Sequence, residues 1–330
     1  MWRCILQIDN KLSPRQQNLQ TILNLLDDHQ KLSAKQLASL TGLSIVSINK
    51  LLDILDSKSD LIATEFLNTR GRRAKIYKLN YQTLNLGVIQ LVEDNNQIKA
   101  TYFLTDLAGK VQFQQFHDQV ITSLEQLTDF IKEQTAKLQP QKIIIGVPGA
   151  ELDGALQLSD IKPLRGVNLS AAVKDATQIE TMVINDANAA TFGAAIELNE
   201  NDNIAVGIYF PKSFGPGVGI VINNRLINGA DGLAGEVEYG TVDSQSDISQ
   251  QIISHAQNII SLLDPNLLII YAEKLSLSKQ QLDQIKQTIQ QKFPLHSQYH
   301  LDFERDFERD YLKGLTTIGR KSILTNLSMT

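Results

Sequence analysis

Arg70, Arg72, Arg73 and Lys75 place four cations within six residues, around Gly71. Side chains of this type and density suit the neutralisation of phosphates along a DNA backbone or in a minor groove. Upstream, Ser44, Ser47 and Asn49 are short polar residues of the kind that reaches base edges in a major groove, and Lys50 suits a phosphate. Metal and disulfide chemistry has little support. The single cysteine, Cys4, allows no intrachain disulfide and no cysteine-cluster zinc site, and the five histidines are scattered without ligand spacing. No metal and no cofactor are expected.

Positioning these residues requires helices and a hairpin. Ser13-Pro14-Arg15-Gln16 predicts a helix start with Ser as N-cap, Pro at the first helical position and Gln closing a capping box. Leu19, Ile22, Leu23 and Leu26 continue it at helical spacing. Ser33-Ala34-Lys35-Gln36 repeats the signal. The segment that follows has the layout of a helix-turn-helix, with Ala38 small at the crossing and Gly42 suited to the positive φ of the turn. Leu43, Ile48 and Leu51 then bury the second helix and leave Ser44, Ser47, Asn49 and Lys50 outward. Leu61–Phe66 and Ile76–Leu79 read as strands flanking the basic tip, the wing of a winged helix.

Charge follows the same division. Residues 1–80 hold 12 Lys/Arg against 7 Asp/Glu, whereas the remainder holds 19 against 29. A basic head on an acidic body fits a chain of which only the head meets a polyanion. The whole chain has 330 residues, 42% of them hydrophobic and 20% charged, enough to bury a full core. Its longest apolar runs fall far short of the roughly 20 residues of a membrane helix, and no secretory signal is visible. A soluble, cytoplasmic protein without membrane contact is expected.

After a connector at Asn80–Thr83, turn signals separate candidate strands at Leu86–Glu93, Ile98–Leu104 and Lys110–His117. A helix over Ser123–Leu138 and a buried strand at Lys142–Val147 follow. The pattern then recurs: strands at Thr181–Ile184, Ile204–Phe210, Val218–Ile222 and Leu267–Tyr271, and helices at Asp186–Ala190, Ser249–Leu263 and Ser278–Gln291. A strand meander followed by helix and strand, occurring twice, predicts a two-lobed α/β body with a cleft between the lobes. The repeat Asp302-Phe303-Glu304-Arg305-Asp306-Phe307-Glu308-Arg309-Asp310 predicts an amphipathic helix that packs Phe303, Phe307 and Tyr311 and leaves its Glu/Arg pairs in water.

Val147-Pro148-Gly149, Ile184-Asn185-Asp186-Ala187-Asn188-Ala189-Ala190 and the run from Gly217 through Asn228-Gly229-Ala230-Asp231-Gly232-Leu233-Ala234-Gly235-Glu236 resemble the ROK family of repressors, open reading frames and kinases. The resemblance covers most of residues 85–271. It implies an actin-like ATPase (ribonuclease H-like) body. Family members with a winged helix are sugar-responsive repressors of the xylose-repressor kind, and members without one are mostly sugar kinases.

The resemblance also assigns roles. Asp186 stands at the family's catalytic aspartate, but the phosphate apparatus departs from the pattern. Asp94-Asn95-Asn96-Gln97-Ile98 lacks the glycines of the first phosphate loop, Phe214 replaces a Thr in the second, and Tyr271-Ala272-Glu273-Lys274 replaces the adenosine-side glycines. Tyr239 stands where zinc-bearing members have a histidine ligand, and their Cys-rich segment is missing. Sugar contacts are implied at Asn185, Asp186, Glu236, Tyr239 and Asp160, whose carboxylates and amides suit adjacent hydroxyls.

The chain therefore reads as an α/β protein with a winged helix-turn-helix over 1–80 and an effector-binding and dimerisation body over 85–330. Its expected partners are a double-stranded operator, a sugar effector and further copies of itself, as a dimer or dimer of dimers. It is not expected to be an enzyme. Two alternatives stay open: an ATP-dependent sugar kinase with a DNA-binding head, and a constitutive DNA-binding protein with a vestigial cleft.

Overall fold

Ser13 opens the first helix as its sequence predicts: its hydroxyl accepts from the Gln16 amide, and Gln16 Oε1 accepts from Ser13 N at 3.0 Å. The computed structural model describes residues 12–67, 74–94, 97–159, 161–198, 203–296 and 299–329. Helix α1 (Pro14–His29) leads through β1 (Leu32–Ser33) into α2 (Ala34–Thr41), which Ser33 and Gln36 cap in the same way. Gly42 closes α2 in the left-handed conformation, and α3 (Ile45–Ser59) follows after Ser44. Strands β2 (Ile62–Leu67) and β3 (Ala74–Leu79) pair antiparallel, and β1 adds to β3. Leu19, Leu23, Leu37, Ile48, Leu52 and Leu61 are buried beneath these elements.

The body begins with β4 (Asn85–Asp94), β5 (Gln97–Asp106) and β6 (Val111–Phe116), an antiparallel meander. Helix α4 (Leu124–Leu138) returns the chain to β7 (Lys142–Val147), parallel to β4. A hairpin of β8 (Gly149–Leu152) and β9 (Ala155–Ser159) and helix α5 (Leu169–Thr177) precede β10 (Thr181–Asn185), parallel to β7. Helix α6 (Asp186–Ala195) ends this half.

The second half repeats the plan. Strands β11 (Ile204–Tyr209), β12 (Gly217–Ile222) and β13 (Arg225–Leu226) form the meander, and α7 (Ile248–Leu263) leads to β14 (Leu267–Tyr271), parallel to β11. Helix α8 (Lys279–Lys292) leads to β15 (His300–Asp302), parallel to β14, and α9 (Phe307–Met329) ends the described chain. The sheet orders β10-β7-β4-β5-β6 and β13-β12-β11-β14-β15 are one topology written in opposite directions. The doubled strand pattern of the sequence is thus a doubled fold of mixed α/β class.

The two halves interlock through their last helices. Helix α6 lies against β11 and β12 of the second sheet, α9 lies against β4 and β7 of the first, and the two helices pack on each other. Gly193 and Gly314 make that crossing possible. A Cβ on Gly314 would fall 1.8 Å from the Ala189 carbonyl oxygen, and one on Gly193 would fall 2.0 Å from that of Asp310. Nothing larger than hydrogen fits between the two backbones.

The far end of α9 reaches the head. Gln16 Nε2 donates to Met329 O at 2.6 Å, Ser328 Oγ to Gln20 Oε1 at 2.7 Å, and Arg320 pairs with Asp27. Tyr81, expected in a mere connector, also donates to Asp27 Oδ1, at 2.8 Å, under the Arg320 guanidinium. One continuous hydrophobic cluster accordingly runs from Leu23 in the head to Ile323 and Leu324 in α9.

The Asp302–Asp310 repeat is not one amphipathic helix. β15 ends at Asp302, Asp306 accepts from the Arg309 amide at 2.8 Å, and α9 starts only at Phe307. Phe303 therefore sits in the connection, packed on the second sheet's core, while Phe307 and Tyr311 are buried on α9. Nor is its charge all solvated. Asp310 is 0% exposed and accepts from Tyr271 and Arg305, and Arg305 also pairs with Asp302 and Glu197. Among the described residues no single helix is long and apolar enough to cross a membrane.

Candidate functional site

The outer face of α3 carries Asn49 and Lys50 exposed, as the helical spacing requires, with Ile48, Leu51, Leu52 and Leu55 beneath. Ser44 and Ser47 hold a more local job. Ser44 Oγ accepts from the Ser47 amide at 3.1 Å and lies 2.9 Å from Ser47 Oγ, so the pair caps α3. Their hydroxyls are engaged rather than freely outward. Lys75 is exposed on β3, its ammonium 4.9 Å from the Tyr77 ring centre. Arg70, Arg72 and Arg73 lie outside the described residues. Below the hairpin, hydrogen bonds from Lys78 and Lys31 hold the Glu65 carboxyl down at a pKa of about 2. Sequence reasoning missed the exposed apolar residues here: Ile45 and Val46 on the first turn of α3 and Leu40 on α2.

Between the body's two sheets lies a cleft of about 330 Å³. The turn from β10 into α6 forms one wall. Asn185 is the N-cap of α6, its Oδ1 accepting from the Asn188 amide at 2.8 Å, and its Nδ2 donates to Gly149 O at 3.0 Å. Asp186 is therefore not the cap. Its Oδ1 accepts from the Ala187 amide at 2.8 Å, and its carboxylate lines the cleft although the residue is only 8% exposed. Opposite, Gly235 has φ +95 and lies so close to Val218 that a Cβ would meet its carbonyl oxygen at 1.9 Å. That tight turn brings Glu236 to the same cleft.

Asn185, Asp186, Glu236 and Tyr239 thus line one cavity, Tyr239 as a largely exposed rim residue. Asp160 lies outside the described residues. The structure adds side chains that the sequence did not single out. Asn188 lines both this cleft and an adjoining cavity of about 230 Å³, and its Oδ1 is buried without a hydrogen-bond partner. Tyr209 is 4% exposed, stacks on Phe307 with ring centres 3.6 Å apart, and has a hydroxyl without a partner. Burial, reinforced by the negative charges of Asp186, Glu273, Glu93 and Glu308, raises the Tyr209 phenol pKa. Glu93, Glu238, Gln157 and Arg165 complete the polar lining.

The segments that depart from the phosphate-loop pattern have these surroundings. Asp94 and Gln97 face each other across the β4–β5 pair, with Asn95 and Asn96 outside the described residues. Phe214, Gly215, Pro216 and Gly217 line the cleft where the chain enters β12. Gly219, within β12, gives room to α6, since a Cβ there would fall 2.3 Å from Thr191 Oγ1. Among the described residues no group of three or more His, Cys, Asp or Glu is placed to hold a metal ion.

This geometry has counterparts among known proteins. The ROK family model matches residues 97–250. A xylose repressor of Caldicellulosiruptor bescii is 27% identical over 248 residues, covering 71% of this chain and 61% of that protein. A xylose repressor of Bacillus subtilis is 25% identical over 240 residues, covering 68% and 60% respectively. The chain thus spans about three-fifths of the length of these curated relatives. A solved ROK family transcriptional regulator, described as a homolog of the E. coli MLC protein, superposes with a TM-score of 0.73 over 96% of this chain and 98% of that one, at 18% identity. The chain thus carries a match to the ROK family model over residues 97–250, in a mixed α/β fold like that of the solved ROK family regulator.

Proposed function

We propose that this protein is a sugar-responsive transcriptional regulator in which residues 1–80 bind an operator as a winged helix and residues 85–330 bind the effector and dimerise. One observation carries the reading: α9 joins α6, whose first turn lines the cleft, to α1 of the helical head. A ligand that favours one arrangement of the lobes would then bias the head through a continuous packed path, which is what linkage between two sites requires. The xylose repressors among its relatives support the same assignment.

The cleft suits a polyol better than a nucleotide triphosphate. Glu93, Asp186, Glu236 and Glu238 outnumber Arg165 in its lining, and the Phe214 side chain offers a phosphate no donor. Phosphoryl transfer needs the opposite balance, with cations and amides clustered on the phosphates. We therefore assign Asn185, Asp186, Glu236, Tyr239 and Asp160 to effector binding, joined by Asn188, and Asn49, Lys50, Arg70, Arg72, Arg73 and Lys75 to DNA. The test is binding to DNA flanking the protein's own gene, at several salt concentrations, with a panel of pentoses, hexoses and their phosphates. Site-specific binding shifted about tenfold by one sugar, roughly 1.4 kcal/mol, is the expected result. Specific binding indifferent to every sugar would support the vestigial cleft, and ATP-dependent phosphorylation of a sugar would support the kinase.

A further inference from the structure

The first turn of α3 exposes an apolar side chain in polar company. Val46 is 65% exposed and Ile45 47% exposed, with Leu40 of α2 at 53%. Val46, Asn49, Lys50 and Asp53 follow each other at helical spacing, so they form one outward stripe. The opposite side of α3 buries Ile48, Leu51, Leu52 and Leu55, which leaves Val46 no part in the head's core. A β-branched residue on an open helix face gains nothing from helix propensity either. Isolated exposed valines are ordinary. This one stands at the N-terminal end of a helix whose next outward residues are an amide and an ammonium.

We propose that Val46 reads thymine, by packing its methyl groups on the C5-methyl of one or two bases in the major groove. The inference rests on the DNA-binding reading above. In the major groove each base pair shows hydrogen-bonding groups, and the apolar group among them is the thymine methyl. An amide such as Asn49 matches adenine N6 and N7, and Lys50 matches a phosphate or guanine, so the stripe presents one partner for each kind of group. A protein partner would be a second explanation for exposed Leu40, Ile45 and Val46. The 12 Lys/Arg against 7 Asp/Glu of residues 1–80 favour the polyanion.

Deoxyuridine tests this, because it removes the methyl and keeps every hydrogen-bonding group of thymine. The full chain is first bound to a footprinted site, and each thymine of that site is then replaced singly by deoxyuridine. One or two positions are expected to lose about three- to fivefold in affinity, the yield of burying one methyl-sized group. Val46→Ala should bind thymine and deoxyuridine duplexes alike at those positions, with unchanged melting and with the preference at the base read by Asn49 retained. Sensitivity at no position, or equal sensitivity in Val46→Ala, overturns the assignment while specific binding still stands. Failure to find any specific duplex sinks the DNA-binding reading itself, and the thymine contact with it.

Discussion

Asp27 of α1 and Arg320 of α9 form an ion pair of 3.0 Å whose carboxylate side chain is only 4% exposed. Tyr81 donates to the same carboxylate, and Arg320 also donates to Leu107 O at 3.0 Å. Removing one member leaves the others largely buried and short of a partner. Asp27→Ala is expected to cost about 3 kcal/mol or more, read as a lowered denaturant midpoint. Arg320→Ala should loosen the same joint, seen as earlier proteolytic release of the first eighty residues.

Gly314→Ala gives a sharper result. In an exposed helix this change would stabilise by up to about 1 kcal/mol. Here the new Cβ meets the Ala189 carbonyl at 1.8 Å, which is backbone and cannot yield. A loss above about 3 kcal/mol, or no folded protein, is expected from thermal melting. An unchanged melting temperature would mean that α6 and α9 do not cross as described.

Ligand binding should follow the cleft's polar groups. Asp186→Asn is expected to weaken the effector sugar at least about tenfold, near 1.4 kcal/mol, by calorimetry. Asn188→Ala should weaken it by about 1–3 kcal/mol with little change in melting, because its Oδ1 has no partner within the protein. Asn185→Ala should show both effects, since Asn185 also caps α6.

Salt dependence separates phosphate contacts from base contacts. Lys50→Ala and Lys75→Ala should each lower the slope of log K against log salt by about 1, evenly across DNA sequences. Asn49→Ala should leave that slope unchanged and relax the sequence preference.

Acid should weaken the head through Glu65. Its carboxyl is held at about 2, below the ordinary glutamate value of 4.5, by Lys78 and Lys31. A depressed folded pKa makes a contribution that is complete above the unfolded value and is lost as pH falls through the folded one. Stability should therefore decline between pH 4.5 and about 2, and Glu65→Gln should flatten that part of the profile in acid melts.

The local devices were legible in the sequence because each is written within a few residues. The capping boxes at Ser13 and Ser33, the left-handed Gly42 and the strand meanders formed where their spacing put them. Features made by distant chain segments were not. Nothing near Tyr209 announces that it stacks on Phe307, and Asn188 becomes notable only when Glu236 is folded opposite it. Ser44 and Ser47 were legible as polar but not as mutually bonded. Gly219 belongs to a glycine run whose purpose no neighbouring residue shows, and Thr191, far along the chain, is what occupies the space it leaves.

The seat of α1 on α9 has a consequence for the order in which the molecule assembles. The bond from Gln16 to Met329 joins residues 313 apart, so the ribosome releases α1 long before its seat exists. Throughout that interval the head must stand alone on its own leucines. The α1 groups that later bond α9 are Gln16, Gln20 and Asp27, which water can serve in the meantime. A nascent head thus waits with these hydrogen-bonding groups set beside the leucines that later join the α9 cluster, so polar groups interrupt the apolar surface of its unfinished joint.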